Sequence, residues 1–544
     1  MNKFSNKKKY LHIIIIILGI IFISIPIFHQ NLWFDESYSV GIISKSFTDI
    51  WTIGSNDVHP VLYYWILHIL FLFFGSNIYI YRIFSMIPIA ILGILGYTHI
   101  RKDFGGKVGL LFSFFTFFLP ISVVYSGEVR MYTWAMLLVS LMAIYAYRIC
   151  KKSTIKNWIL FGVFSLASAY THYYALAAAG VINLVLMIYL IMKSVKTHKE
   201  DRKSKIYTKE LKCFTISGVA QVLLYLPWLF SLLSQIQGVS GGFWIKTPSV
   251  ELWLQIFIFQ FTGNLDNAFV PEKLAIGFSI LLIAYTLYTV IRAIRKRNSN
   301  VKEVKEQKEI TEEEVKQNSK IEKEEHKDNI QDEMKEHSNK PGLWAIVIYI
   351  IVMIAVFLVS LKVPILYARY FLNLTGLFIF FMAFFIAKGG RKVLTIIICA
   401  ITILVAIIAN YSVTRMNYDS TNKEPVNYIQ EDLQEGDLIF FGNEGSGFVL
   451  SMQLIDVANC FYDGDHWNVD PAYGAFGKDL WIIKDLSPMD DYKGRIWIIN
   501  GSSYTIYEEF VQRYGKEDIQ LIKQEQFSTG YHFYQYAITL IEKK

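Results

Sequence analysis

Cysteine and charged residues are both scarce in this chain. Four of its 544 residues are cysteine, and 18% are Asp, Glu, Lys or Arg. The four cysteines are scattered through the sequence, which leaves no disulfide or metal–cysteine framework. The net charge of +7 does not favour nucleic-acid binding, because the positive residues mostly flank apolar runs, where they set membrane topology.

Hydrophobic residues are abundant in this chain. Hydrophobic residues make up 53% of the chain and the mean hydropathy is +0.34, which is too apolar for a soluble protein. Runs such as 11–27, 343–361 and 393–410 are nearly uncharged and long enough to cross about 30 Å of hydrocarbon. The first run follows several lysines, as in a signal peptide, but no small-residue cleavage site follows it. We therefore predict an uncleaved first helix in a multi-pass membrane protein.

Hydropathy predicts about eleven membrane spans. They are 11–28, 78–98, 108–125, 129–149, 157–171, 173–192, 213–232, 274–291, 343–361, 371–387 and 393–411. A further apolar run, 60–74, is assigned to the outer interface, because counting it would place the Lys- and Arg-rich segments after it outside. This map puts the N-terminus in the cytoplasm and the first loop, 29–77, outside.

The chain divides at the end of the last span. Residues 1–411 form the transmembrane part, and 292–340 within it is a Lys- and Glu-rich segment too polar to fold alone, predicted as a cytoplasmic linker. Residues 412–544 show apolar strands at 437–441, 480–483 and 495–499 and a helix at 507–514. The predicted fold class is an all-α polytopic membrane domain with a small extracytoplasmic α/β C-terminal domain.

Two adjacent carboxylates, Asp35 and Glu36, follow the first span. A base at this level can take the proton from an acceptor hydroxyl that attacks a lipid-linked sugar. The alternative is a solvated pair of loop carboxylates.

Downstream, His59 precedes Pro60 at the start of the interfacial run, and Tyr63 follows in its first turn. His59 either faces the same aqueous pocket or only caps the helix.

Outward-facing cations are the next signal. Glu128, Arg130 and Tyr132 open a span on its outer side, where arginine runs against the positive-inside bias and can grip a phosphate. The alternative is a local Glu–Arg network that fixes helix ends. Arg369, beside Tyr370, and Lys246 supply two more outward cations, so that three cations face one acidic loop and make a candidate anion site.

A tight hairpin between two spans carries His172 and Tyr173 at the same membrane level. Taken alone, His172 fits a satisfied interfacial residue better than a ligand or base.

These landmarks, taken in order, resemble the C-type integral-membrane glycosyltransferases, in the branch with protein O-mannosyltransferases and bacterial aminoarabinose-type lipid transferases. The series is Phe34-Asp35-Glu36-Ser37-Tyr38, His59-Pro60-Val61-Leu62-Tyr63-Tyr64, Glu128-Val129-Arg130-Met131-Tyr132, Thr171-His172-Tyr173-Tyr174, Leu226-Pro227-Trp228 and Arg369-Tyr370. Val61 stands where relatives often have a second proline.

The resemblance implies a polyprenyl-phosphate sugar donor, inversion at the anomeric carbon, and Asp35 as the base. We also expect Glu36 to act in catalysis and the other named residues to bind substrate. A divalent cation, Mg²⁺ or Mn²⁺ at Asp35 and Glu36, stays open, because clustered carboxylates beside a phosphate suit it but the sequence does not demand it. The acceptor is a lipid, a protein or a wall polymer. A transporter or flippase of a lipid-linked sugar, or a scaffold that displays the C-terminal domain, are the competing hypotheses.

Overall fold

The computed structural model describes residues 3–200, 208–240, 245, 248–265, 268–314, 339–442, 444–454, 456–462, 473–476 and 480–544. Up to residue 417 the described chain is almost entirely helical. Its α-helices are Lys3–Ser24, Phe34–Ile43, Phe47–Asn56, Leu62–Phe74, Ile78–Leu95, Arg101–Phe104, Gly106–Phe118, Pro120–Tyr125, Tyr132–Lys151, Ile155–Ala169, Tyr173–Glu200, Lys209–Ser240, Val250–Thr262, Glu272–Glu314, Lys340–Ser360, Thr375–Gly389 and Lys392–Asn417.

The predicted spans are present as helices. Nine helices in the described part of the chain are long and apolar enough to cross a membrane, and each matches a predicted span. The other two predicted spans are the shorter helices Gly106–Phe118 and Ile155–Ala169. The span predicted at 108–125 is interrupted because Pro120 begins a separate turn, Pro120–Tyr125. The protein is therefore a multi-pass membrane protein.

Two shorter apolar helices lie beside the spans. Leu62–Phe74 has 13 residues and a length of about 20 Å, which is less than the hydrocarbon thickness and agrees with an interfacial position. Val250–Thr262 was not predicted, because its apolar run is shorter than a 19-residue window. Its Phe259 and Phe261 pack on Tyr125 and Phe378, so this helix belongs to the core beside the site.

The predicted linker is partly helical. Glu272–Glu314 continues well past residue 292, because Lys and Glu are good helix formers even where no core is available. Residues 315–338 of the linker lie outside the described residues.

The C-terminal domain is built on one six-stranded sheet. Its strands are β1 Leu438–Phe441, β2 Ala458–Tyr462, β3 Trp481–Ile483, β4 Gly494–Asn500, β5 Ile519–Ser528 and β6 Gln535–Lys543. The order is β3-β2-β1-β4-β6-β5, with parallel pairing from β3 to β4 and antiparallel pairing of β4 with β6 and β6 with β5. Helices Glu424–Gln430, Glu444–Gln453 and Thr505–Tyr514 accompany it. The three predicted strands and the predicted helix are confirmed, and β2, β5 and β6 are additional.

The C-terminal domain packs directly on the segment that follows the first span. Phe448 contacts Phe34 at a ring distance of 6.2 Å and stacks on Phe476 at 4.0 Å. A methyl group at Gly41 would lie 2.1 Å from the carbonyl oxygen of Ala475, so this close approach requires glycine. The packing fixes the helix that carries Asp35 against the C-terminal domain.

Candidate active site

An open cavity of about 630 Å³, including the part open to solvent, lies where the first outer segment meets the C-terminal domain. The turn before Tyr132–Lys151 and the end of Lys392–Asn417 close its other sides. Its polar and aromatic lining includes Trp33, Glu36, Arg82, Glu128, Arg369, Tyr531 and His532. Four of these seven residues are glutamate or arginine, so the cavity is suited to charged ligands.

Asp35 lies between two buried guanidinium groups. Its Oδ2 is 3.1 Å from Nη1 of Arg369 and 3.9 Å from Nε of Arg130. The carboxylate side chain is 21% exposed, whereas the Arg369 side chain is 8% exposed. Burial raises the pKa of Asp35, but Arg369 and Arg130 more than offset this and hold that pKa below its ordinary value. Asp35 is thus an ionised and accessible carboxylate.

The two arginines have unused hydrogen-bonding capacity. Nε of Arg130 and Nε of Arg369 are buried and have no hydrogen-bond partner in the part of the chain that the structure describes. Aromatic rings surround Arg369, with Trp33 at 4.9 Å and Tyr132 at 5.7 Å from its guanidinium carbon. A weakly hydrated guanidinium against aromatic faces is typical of phosphate and carboxylate recognition.

A short hydrogen-bonded chain orients Arg130. Its Nη2 lies 2.8 Å from Nε2 of His59, and Nδ1 of His59 lies 2.6 Å from Oδ2 of Asp57. Because arginine can only donate, Nε2 of His59 accepts and its Nδ1–H donates to Asp57. His59 therefore positions a cation and is not merely a helix cap. The sequence analysis did not assign Asp57 to the site. Its position two residues before His59 is the feature that could have suggested a carboxylate–histidine pair.

Glu128 is the second carboxylate near Arg369. Its Oε1 lies 3.7 Å from Nη1 of Arg369. Burial raises the pKa of Glu128 to about 8, against the opposing effect of Arg369. Glu128 therefore carries a proton at neutral pH.

Glu36 does not share the environment of Asp35. Consecutive residues of a helix point about 100° apart, and both belong to Phe34–Ile43 rather than to a loop. Glu36 is fully buried; its Oε1 and Oε2 accept from Arg82 at 2.6 and 3.0 Å. Val129 N–H and the Tyr531 hydroxyl donate to it as well, at 3.0 and 2.9 Å. The expectation that Glu36 acts in catalysis is thus not supported by its geometry, which is that of a structural anion.

We expect Glu36→Gln to lower the free energy of unfolding by about 3–5 kcal/mol, because it leaves the buried Arg82 guanidinium unpaired. Adding Arg82→Met should recover part of the loss, since no isolated charge then remains. Thermal unfolding of the purified protein measures this. Glu210→Gln is the matched control, because its ion pair with Lys193 is exposed and contributes about 0–1 kcal/mol. A Glu36→Gln protein with wild-type stability would return Glu36 to the list of catalytic candidates.

Two predicted binding tyrosines are structural. The hydroxyl of Tyr63 is buried against Ser85 Oγ at 3.1 Å, and the adjacent Tyr64 is the ring that approaches His59, at 6.1 Å. The hydroxyl of Tyr173 is bonded to Gln235 and accepts from Trp228 Nε1 at 3.1 Å. Both were predicted from position along a helix, which does not fix the side of the helix that faces the site.

His172, Tyr132 and Tyr370 form an aromatic wall beside Arg369. The ring of His172 lies 5.6 Å from Tyr132 and 5.2 Å from Tyr370. Its Nδ1 is bonded to the Asn373 side chain at 2.8 Å. Burial lowers the pKa of His172 to about 3, so it is neutral in this wall. Lys246, the third predicted cation, lies outside the described residues.

The carboxylates do not make a paired metal site. No group of three or more His, Cys, Asp and Glu side chains that could hold a metal ion is found in the described ranges. Glu36 is committed to Arg82, and Asp35 faces two guanidinium groups, which repel a cation. The residues present therefore do not fit the Mg²⁺ or Mn²⁺ ion considered from the sequence.

Solved structures that are similar to this chain include two crystal structures of ArnT from Cupriavidus metallidurans. The apo structure aligns over 97% of both chains with 10% identity and a TM-score of 0.49. The structure bound to undecaprenyl phosphate aligns over 97% of both chains with 10% identity and a TM-score of 0.47. No curated protein matches the chain at a significant level.

A family comparison is more specific. Residues 58–225 match the family model of dolichyl-phosphate-mannose-protein mannosyltransferase. This stretch includes His59, Glu128, Arg130 and His172, so it covers much of the predicted series of landmarks. Over these residues the match confirms the resemblance to C-type membrane glycosyltransferases.

Proposed function

We propose that this protein is a membrane glycosyltransferase that moves a sugar from a polyprenyl-phosphate donor to an acceptor hydroxyl at the outer face of the membrane. The observation that carries this proposal is an ionised, partly exposed Asp35 between two buried arginines. Each of these arginines has an Nε–H without a hydrogen-bond partner among the described residues. The family match favours a lipid-phosphate sugar as the donor.

The proposed reaction uses Asp35 as a general base. The acceptor oxygen gives its proton to Asp35 and attacks the anomeric carbon, while the bond to the phosphate oxygen breaks and its electrons leave with polyprenyl phosphate. Arg369 and Arg130 stabilise the departing phosphate. Attack opposite the leaving group gives inversion.

Donor binding and base strength are linked in this geometry. The donor phosphate would compete with Asp35 for Arg369, which lies 3.1 Å away. Because Arg369 is the largest cause that lowers the pKa of Asp35, weakening this pair makes the carboxylate a stronger base. The base is then strengthened only when the donor is in place.

Activity should fall above about pH 8, where Glu128 loses its proton. The raised pKa means that Glu128 is neutral below this value and anionic above it. The new buried charge would repel the donor phosphate beside Arg369. Glu128→Gln, which resembles the protonated form, should retain activity to higher pH. A pH profile of kcat/KM tests this, and an unchanged alkaline limb in Glu128→Gln would assign that limb to another group.

The orientation in the membrane is part of the proposal. In a chain with its four cysteines replaced by serine, Thr48→Cys and Ser502→Cys should react with an impermeant thiol reagent in intact cells. Ser153→Cys should react only after permeabilisation, since it lies at the predicted cytoplasmic end of Tyr132–Lys151. All three positions are exposed on the protein surface. Labelling of position 153 in intact cells would place the proposed site on the opposite face.

Transport of a lipid-linked sugar is the competing function. Transporters place their binding residues near the bilayer midplane in broken helices. Here Asp35 and Glu128 lie in connections between spans, and Arg369 lies in a short 3₁₀ segment, Ala368–Leu374, at a helix start. These positions favour transfer over transport.

Mass spectrometry of cell-envelope glycans tests the proposed function. Cells with the intact chain should contain one modified envelope component that is missing from cells with Asp35→Asn. The mass spectrum of that component would identify both the sugar and the acceptor. Identical glycan profiles, with the protein present in both membranes, would count against glycosyl transfer.

A further inference from the structure

The turn between β5 and β6 reaches the candidate active site from the C-terminal domain. The Tyr531 hydroxyl donates to Glu36 Oε2 at 2.9 Å, and the backbone N–H of Phe34 donates to the Tyr534 hydroxyl at 3.0 Å. Tyr531 and His532 both line the cavity. Residues separated by about 500 positions in sequence thus share one wall of the site.

His532 contacts the aromatic partner of Arg369. Its ring stacks on Trp33 with 4.7 Å between centroids and 4° between planes. The guanidinium carbon of Arg369 lies 4.9 Å from the centroid of the same indole. His532 and Arg369 therefore both lie against the indole ring of Trp33. Since Arg369 is the closest cation to Asp35, a continuous series of contacts joins His532 to the proposed base.

The backbone of the turn is strained. His532 and Phe533 have φ angles of 53° and 54°, and they are the non-glycine residues of the described chain with positive φ. Such conformations persist where surrounding contacts determine them, and they concentrate at functional sites. The Phe533 side chain is 69% exposed, so the strain does not serve to bury it. What the turn achieves is the placement of His532 on Trp33.

We propose that His532 is a positioning residue of the active site, which holds Arg369 against Asp35 through Trp33. The C-terminal domain would then contribute a residue to the active site, in addition to packing on the membrane domain. This inference rests on the proposed function, because Asp35 and Arg369 receive their roles there. Without the His532 ring, Trp33 loses its stacking partner, and the Arg369 guanidinium that contacts Trp33 can move away from Asp35.

The test compares His532→Ala, His532→Phe and Phe533→Ala in the full-length protein. His532→Ala should lower kcat about tenfold and move the acid limb of kcat/KM upward by about one pH unit, because Asp35 loses its closest cation. His532→Phe keeps an aromatic ring on Trp33 and should restore most of both values. Phe533→Ala alters the same turn without touching Trp33 and should behave as wild type. General destabilisation of the domain would not move the acid limb.

Wild-type kcat and an unmoved acid limb in His532→Ala, or equal losses in His532→Ala and Phe533→Ala, would overturn the positioning role while leaving the proposed function intact. A wild-type protein that transfers no sugar would instead overturn the proposed function. In that case, the binding affinity for undecaprenyl phosphate still tests whether His532 positions Arg369 through Trp33. His532→Ala should weaken that affinity by at least about fivefold through the displaced Arg369, and an unchanged affinity would overturn the inference.

Discussion

Asp35→Asn is expected to reduce sugar transfer by about a hundredfold or more, the size typical of a lost general base. Asparagine keeps the shape of aspartate but cannot take up the acceptor proton. Arg369 and Arg130 remain to bind the donor, so the loss should appear in kcat more than in the KM for the donor. Steady-state kinetics of the purified protein measures both values.

The matched control for this change is Asp49→Asn. Asp49 lies in the same outer segment, on an exposed helix turn where it bonds only locally to Ser46. This variant should keep wild-type activity, while both variants should reach the membrane in equal amounts. Wild-type turnover by Asp35→Asn would remove Asp35 from the mechanism.

Arg369→Lys should reduce transfer by about 10²–10³-fold, because it removes the planar donor aimed at the leaving phosphate. Lysine preserves the positive charge, so the Asp35 carboxylate keeps a cation beside it. The protein should therefore fold, which Arg369→Ala does not guarantee. Kinetic assays together with a thermal unfolding curve separate the two effects.

Arg415→Lys provides the comparison for Arg369. Arg415 lies on the exposed side at the outer end of Lys392–Asn417, so it contributes a positive charge without entering the site. Its replacement should leave the rate unchanged. Equal rates for Arg369→Lys and the wild type would mean that leaving-group stabilisation does not depend on this guanidinium.

The membrane part of the fold could be predicted from the sequence because each span is an autonomous apolar run. Val250–Thr262 shows the limit, since a 13-residue helix is too short to be recognised by span length. In the C-terminal domain, β5 was missed because it is a largely exposed strand with mostly polar residues. The alternation of apolar and polar residues in β5 is too weak to predict a strand that pairs within a sheet.

The candidate site was predicted only in part. Asp35, Arg130 and Arg369 lie together, as the predicted anion site requires. The hydrogen-bond partners of a side chain are decided by tertiary packing, which the sequence does not show. Tyr63 and Glu36 were therefore assigned to substrate binding and catalysis, although both side chains are bonded to structural partners. The contact of His532 with Trp33 could not be predicted from the sequence, because about 500 residues separate the two side chains.

Release of polyprenyl phosphate by the purified protein tests the central claim most directly. The protein would be incubated with a panel of undecaprenyl-phosphate hexoses and pentoses and with envelope lipids or peptides as acceptors. Chromatography with mass spectrometry would follow free undecaprenyl phosphate. With one donor, wild type should release undecaprenyl phosphate in step with a glycosylated product, and Asp35→Asn should not. Movement of a labelled donor across vesicles with no release of undecaprenyl phosphate from any donor would contradict glycosyl transfer and identify a transporter.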